Sequence, residues 1–324
     1  MKAILFTKYG SPNVLQFTEI KKPTPRDNEV LIKVRSASLN ALDWHLMRGK
    51  PLAVRLMIGG LFKPKVTQPG RDVAGVVEAV GNSVTQFKPG NEVFGVCTGT
   101  LAEYVCANEN RLALKPSNIS FDEAAAVPIA AITALQGLRD KGRIQRGQKV
   151  LVDGAGGGVG TFAVQIAKSF GTEVTAVCST KNMNTSRAIG ADHVIDYTRE
   201  NFTLSAQRYN LIIGANAYHS IFDYRRALSR DGIYVGAGGG SQSLPVMLIG
   251  MLIQSLLSLI GSKKMCIFMA KITKTDLDYL KELLAAGKIV PVIDRHYTLM
   301  EAADAMRYIE EGHARGKVII NVEK

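Results

Sequence analysis

At 324 residues, with 46% hydrophobic and 21% charged residues, the chain has the composition of a globular enzyme with room for two separately cored domains. The formal net charge of +12 is spread over scattered Lys and Arg residues with no cluster interleaved with aromatics. A nucleic-acid partner is therefore not expected, and the charge reads as a solvated surface that also attracts an anionic cofactor.

The four cysteines, Cys97, Cys106, Cys178 and Cys266, stand far apart and form no C-x-x-C pair. That points to a reducing, cytoplasmic setting and away from a clustered structural zinc. The run Met1–Gly10 is too short in apolar residues to read as a signal peptide.

In chain order, Lys2–Phe6 predicts a strand that turns at Gly10-Ser-Pro12, and Val30–Arg35 predicts another after a lead-in rich in proline and charge. Short segments with Gly and Pro turns follow at Asp72–Val80, Glu92–Val96 and Ala102–Ala107, the spacing of a small irregular barrel-like β domain up to about residue 117. Ser120-Phe-Asp-Glu123 is a capping box that opens a helix through Val127. Strands and helices then alternate: strand 149–153, helix 159–170, strand 173–178, helix 183–189, strand 193–196, strand 209–213, helix 219–229, strand 233–236. This alternation is that of an α/β doubly wound parallel sheet. Leu244–Gly261 carries no charge, but Gln254, Ser255 and Ser258 interrupt it. It reads first as a helix lining a cleft or a subunit contact, next as a surface membrane attachment, and last as a span. The tail predicts helix 275–286, a strand around Val290–Ile293, helix 299–311 and a last strand Lys317–Asn321, returning to complete the first domain.

Within this order one stretch carries chemistry. Lys149–Asp153 is a β-branched run, Gly154–Gly160 is too glycine-rich for helix or strand, and the next residues place Val159, Phe162, Ala163, Ile166, Ala167 and Phe170 on one helical stripe. Strand, glycine turn and helix make the phosphate-cradling half of a dinucleotide site. In register the fingerprint is Ala155-x-Gly157-x-x-Gly160, with alanine in place of the first glycine. Ala155, Gly156, Gly157, Gly158 and Val159 are thus the residues expected at the pyrophosphate, where exposed N–H groups and the helix dipole favour negative charge. A site for NAD would put an acid on the ribose 2′-OH just past the next strand. That strand ends in Cys178-Ser-Thr-Lys-Asn182, and Ser179, Thr180 and Lys181 suit a 2′-phosphate, so NADPH is the expected cofactor.

The stretches Ser38-Leu-Asn-Ala-Leu-Asp-Trp44, Pro69–Val77, Gly81–Gly95, Ala155–Gly160 and Gly312–Lys317 carry a resemblance over essentially the full length. The chain resembles the medium-chain dehydrogenase/reductase superfamily in its zinc-free quinone oxidoreductase branch. The resemblance implies a GroES-like β-rich catalytic domain (residues 1–117 and 271–324), a Rossmann domain (118–270), an active site in the cleft between them, and dimers or tetramers in most members. A homodimer is expected here. It also implies that Asn40 and Asp43 line the nicotinamide end and that Thr133 lies beside the ring. The alternative is that Thr133 is only a β-branched helix residue whose hydroxyl bonds back to its own helix. By the same resemblance Tyr197 packs near the 2′-phosphate, Gly236-Ala237-Gly238 lets backbone approach the nicotinamide, and Arg315 and Lys317 lie near the cofactor. At Leu211–Asn216 the sequence departs from many relatives, and only the backbone of Ala215 is carried over.

Zinc-dependent relatives hold their metal with a Cys where this chain has Asn40 and a His-Glu pair where it has Arg71-Asp72. A guanidinium cannot give up its proton to ligate a cation. Asp43 and His45 alone make a poor zinc site, and His45 reads as a partly buried, hydrogen-bonded histidine. No metal is expected. Without a Lewis acid, reduction of a quinone or an enone is the chemistry that fits, because negative charge delocalises onto a conjugated oxygen that hydrogen-bond donors can stabilise. Asn40 offers an amide N–H for this; Arg71 either stabilises an enolate or forms a structural salt bridge to Asp72 or another acid. Two alternatives stay open. One is an aldehyde or alcohol redox enzyme, and the other is a low-turnover cofactor-binding protein with a structural, RNA-binding or membrane-associated role. The segments Leu46–Phe62 and Leu244–Phe268 are apolar and loosely patterned, which suggests a small hydrophobic carbonyl or quinone acceptor.

Overall fold

The structure, a computed structural model, describes residues 1–56, 60–216, 218–237 and 262–323. Two compact units divide the chain: Met1–Ile132 with Ile272–Lys324, and Thr133–Lys271.

The first unit is built on a mostly antiparallel sheet whose longest member is β3 (Glu29–Leu39), preceded by a separate hairpin of β1 (Lys2–Leu5) and β2 (Gln16–Glu19). In β3 most positions are buried, with Val30, Ile32 and Val34 alternating along the strand and Lys33 and Arg35 only partly covered. It pairs with β4 (Asp72–Val80), which pairs in turn with β5 (Glu92–Val96), and β3 also pairs with β6 (Tyr104–Asn108). β7 (Leu112–Leu114) lies beyond β5. The tail does return: β14 (Ile293–Thr298) pairs with β15 (Lys317–Asn321), and β15 runs antiparallel to β3 with Val318 opposite Leu39. Two apolar cores serve this unit, one under Val30, Ile32, Val73 and Val93, the other joining Leu39 and Met47 to Met306, Val318 and Ile320. Each such side chain taken from water contributes roughly 1.5–3 kcal/mol.

Helix α1 (Ala41–Arg48) was not expected from the sequence. It starts where the Asn40 N–H donates to the Asp43 carboxylate at 2.8 Å and stops at Gly49, whose φ of 60° is the left-handed conformation a C-terminal glycine supplies. Helix α2 (Phe121–Ala126) opens on the predicted box, Ser120 accepting from the Glu123 N–H and Glu123 accepting from the Ser120 N–H. It packs on β3, β4 and β15, within the first unit. Its Asp122 accepts from Ser36 and from Asn321. The division between units falls inside the next helix, α3 (Pro128–Gln136).

The second unit is a six-stranded parallel sheet of β8 (Lys149–Asp153), β9 (Glu173–Cys178), β10 (His193–Asp196), β11 (Tyr209–Gly214), β12 (Leu228–Gly236) and β13 (Lys264–Ile267). The spatial order is β10-β9-β8-β11-β12-β13, so the order reverses between β8 and β11. Such a reversal is where open α/β sheets bind ligands, outside the carboxyl ends of the strands. The helices α4 (Gly158–Ser169), α5 (Met183–Ala188) and α6 (Ile221–Ala227) connect the strands.

Besides α1, strands β2, β7 and β13 were not expected from the sequence, and some predicted elements change their start or type. The strand placed around Val290–Ile293 begins at Ile293, since Pro291 has no N–H for a ladder. Helix 299–311 opens as a 3₁₀ turn, Leu299–Glu301, before α8 (Ala302–Glu310); α7 (Lys274–Ala285) precedes it. Strand β12 starts five residues earlier than its apolar run, at Leu228, because backbone pairing with β11 continues through a register shift. Leu244–Gly261 lies outside the described residues, among which no helix is long and apolar enough to cross a membrane.

Candidate functional site

In the first unit four of the expected residues gather at the end of β3. Asn40 follows the strand's last residue; Asp43 is one turn into α1; Arg71 and Asp72 lead into β4, which pairs with β3 through Asp72 opposite Ser38. Lys317, the first residue of β15, arrives from the far end of the chain. Asp72 is wholly buried and saturated: Oδ2 accepts from Ser38 at 2.9 Å, from the Asn40 amide at 2.9 Å and from Lys317 at 3.2 Å, and Oδ1 accepts from the Ile129 N–H at 3.0 Å. Lys317 is expected from the resemblance near the cofactor. Its ammonium is instead enclosed, donating also to the Leu39 carbonyl at 3.1 Å and to Asn40 Oδ1 at 2.8 Å.

Asp43 is buried as well, its two oxygens accepting from the N–H groups of Gly70 (3.2 Å) and Asn40 (2.8 Å). Burial pushes its carboxyl up to about 6, against the opposing pull of the Asn40 N–H and the Arg71 guanidinium. Arg71 is half-buried, and its side chain makes no hydrogen bond or ion pair among the described residues. The salt bridge to Asp72 weighed from sequence is absent; Asp72 takes Lys317 instead. His45 stacks on Trp44 and bonds to the Lys50 carbonyl at 2.7 Å, the role the sequence assigned it.

In the second unit the turn after β8 is shaped for close backbone approach. Gly157 is the N-cap of α4, whose first turn carries no acid. A Cβ on Gly160 would stand 2.1 Å from the Gly154 carbonyl oxygen, and one on Gly156 would stand 2.2 Å from Asn182 Nδ2. Ala155 is buried and its N–H donates to the Val177 carbonyl at 3.0 Å, so alanine fits where the fingerprint has glycine. Gly158 and Val159 form the half-buried first turn of the helix, a partial positive pole whose N–H groups have no partner within the helix. These residues fit the diphosphate of a dinucleotide.

Past β9, Ser179 accepts from Asn182 at 3.4 Å, which brings the serine to the same corner as Gly156. Thr180 differs from expectation: its hydroxyl donates to Asp196, an acid at the end of β10. Asp196 also accepts from Thr198 through backbone (3.0 Å) and hydroxyl (2.7 Å), and these bonds, the Thr180 hydroxyl first, hold its carboxyl below the usual range. Lys181 is exposed and makes no ion pair among the described residues, and Tyr197 is 55% exposed.

Near the strand reversal the Ala215 N–H donates to the Asp153 carbonyl at 2.8 Å and the Ala237 N–H to Gly214 at 2.9 Å. Gly236 ends β12, and Gly238 lies outside the described residues. Thr133 is a half-buried residue of α3. Arg315 is exposed, its N–H donating to Asp294 at 2.8 Å. Sequence reasoning missed Asp153, whose buried carboxyl accepts from Tyr224 at 2.5 Å and is pushed up by burial. An acid at the end of a β-branched strand was the available signal.

Residues 26–117 match the alcohol dehydrogenase GroES-like domain family, and residues 189–320 match the zinc-binding dehydrogenase family. The chain is 34% identical to a chloroplastic quinone-oxidoreductase homolog of Spinacia oleracea over 99% of its own length and 98% of the relative's. It is 36% identical to the 2-methylene-furan-3-one reductase of Solanum lycopersicum, covering 99% of this chain and 79% of that one. Among solved structures, the quinone oxidoreductase of Coxiella burnetii superposes with a TM-score of 0.84 at 30% identity, covering 100% of this chain and 99% of that chain.

The chain belongs to the zinc-free quinone oxidoreductase branch of the medium-chain dehydrogenase/reductase superfamily.

The GroES-like and Rossmann-type folds expected of that superfamily are the two sheets described above. As a medium-chain dehydrogenase/reductase the chain has a pyridine-nucleotide-binding fold. The zinc-binding match does not reach Asn40, Arg71 or Asp72, the positions of the superfamily's metal ligands. Those positions hold an amide, a guanidinium and a carboxylate already ion-paired with Lys317, a donor set that does not fit a zinc ion.

Proposed function

We propose that the chain is an NADPH-dependent, zinc-independent reductase that delivers hydride to quinones or to the C=C bond of α,β-unsaturated carbonyls. The observation that carries this is the pair left at the superfamily's metal positions: an Asn40 amide and an Arg71 guanidinium without an ion-pair partner among the described residues. Such a pair suits an oxygen that gains negative charge by conjugation. The names of the spinach and tomato relatives, a quinone oxidoreductase homolog and a furanone reductase, support acceptors of that class.

When bound, the reduced nicotinamide supplies the hydride from its C4. The chain's own residues do the rest. The turn from Ala155 to Val159 holds the diphosphate on backbone N–H groups. Ser179 and Lys181 take the 2′-phosphate, and Asp196, saturated by the two threonines, is not free to select a ribose hydroxyl. Asn40 and Arg71 donate to the acceptor's oxygen.

A homodimer is supported by β13, which forms an edge of the described sheet next to exposed Ile267 and Met269. Four free cysteines suit a reducing compartment such as the cytoplasm. Peripheral membrane contact rests on Leu244–Gly261 alone, and sedimentation with anionic liposomes at low and high salt tests it.

The central experiment follows oxidation of NADPH, with chelator present, against quinones, enones, aldehydes and saturated ketones. Turnover confined to quinones and enones is the expected result. Turnover of aldehydes that chelator abolishes would overturn the reading, and NADPH binding without any turnover would favour a binding protein.

A further inference from the structure

We propose that Lys317 and Asp72 are positioning residues, which lock the Asn40 carboxamide in one orientation and leave a single N–H to donate to the acceptor's oxygen. The inference rests on the reading of Asn40 given above.

An ammonium only donates, and an ionised carboxylate only accepts. Asn40 stands between them, its Oδ1 accepting from Lys317 at 2.8 Å and its Nδ2 donating to Asp72 at 2.9 Å. Turning the amide over would set its NH₂ against the ammonium and its carbonyl against the carboxylate, replacing two charge-assisted bonds with two repulsions. The amide therefore has one orientation, fixed by its neighbours rather than by its own torsion. Nδ2 carries two hydrogens, and Asp72 takes one; among the described residues no group takes the other.

Neither partner is free for another task. The three N–H bonds of Lys317 go to Leu39, Asn40 and Asp72, and Asp72 also serves Ser38 and the Ile129 N–H at the start of α3. A lysine so enclosed does not also reach a dinucleotide. Nor does fold stability explain the pair, since a buried ion pair in good geometry is often no better for stability than apolar side chains of the same volume. What the pair supplies is direction.

The test uses steady-state kinetics with an enone and NADPH, together with NADPH dissociation constants, on the full chain. Asn40→Ala is expected to lower kcat by about 100-fold, the loss typical of one oxyanion donor, with the NADPH dissociation constant measured alongside so that any change in cofactor affinity is separated from the loss in kcat. Lys317→Met should lower kcat by about tenfold, and Lys317→Arg, which keeps the charge, should retain more of it. The charge-neutral pair D72N/K317M stands in where the single variant fails to fold, and is expected to lose kcat likewise. In the Asn40→Ala background the same changes should cost less than about twofold, because residues acting through one group are not additive. Equal losses in both backgrounds, or a neutral pair with undiminished kcat, would overturn the positioning role. Full activity of Asn40→Ala would instead overturn the reading of Asn40 itself.

Discussion

Asp43 illustrates how one carboxyl ties local structure to solution behaviour. Both oxygens accept backbone N–H groups, yet burial outweighs them and its pKa rises from the ordinary 3.8 to about 6. The folded chain then binds the proton more tightly than the unfolded chain does. Stability from this group is complete below about pH 4 and is lost as pH rises to 6, a change of about 3 kcal/mol. The difference in unfolding free energy between wild type and Asp43→Asn, followed by urea titration from pH 3.5 to 7.5, should drift by that amount across the window and flatten above it. A pH-independent difference would show that Asp43 ionises normally. At the other unit Lys181 makes no ion pair among the described residues and sits past a strand that ends without an acid. Lys181→Ala is expected to weaken NADPH binding by about tenfold, the worth of one charge-assisted bond, while leaving NADH within twofold. Fluorescence titration of both cofactors checks this.

Among the elements, those whose signal is local were readable. The β-branched strand Lys149–Asp153, the glycine turn and the stripe of α4 depend on neighbours in sequence, and the structure has them within a residue of the expected bounds. The Ser120 box likewise opened its helix. Helix α1 was not readable, because Ala41–Arg48 mixes Trp, His and Asp without a clean stripe and its start depends on the reciprocal bonding of Asn40 and Asp43. Of the candidate site, Asn40 and Arg71 could be nominated by position, but the partner of Asp72 could not, since Lys317 lies 245 residues away and no local pattern announces the pairing. The glycine turn also makes a sharp prediction. Gly160→Ala puts a methyl 2.1 Å from a carbonyl oxygen that cannot move without opening the turn. We expect a stability loss of about 2 kcal/mol and at least tenfold weaker NADPH binding, measured by thermal unfolding with and without cofactor.

At the scale of the molecule, the first unit is made from two distant pieces of chain. β15 is hydrogen-bonded to β3, and Val318, Ile319 and Ile320 are buried against it. A fragment comprising residues 1–132 should therefore lack cooperative unfolding. It would leave the edge of β3 unpaired and strip Asp72 of Lys317 while keeping the carboxylate buried, at a cost of several kcal/mol. A cooperative transition in circular dichroism of that fragment would contradict this.

The same pairing sets an order of events during synthesis. Residue Lys317 leaves the ribosome 278 residues after Leu39, whose carbonyl it must reach. By then every strand of the parallel sheet has emerged, and domains generally fold as units while they are being made. The nascent chain thus acquires the glycine turn proposed to cradle the dinucleotide early, and the alignment of the amide proposed to bind the acceptor last. A message cut short before β15 would yield a protein able to hold reduced cofactor with its Asn40 side chain still unaligned.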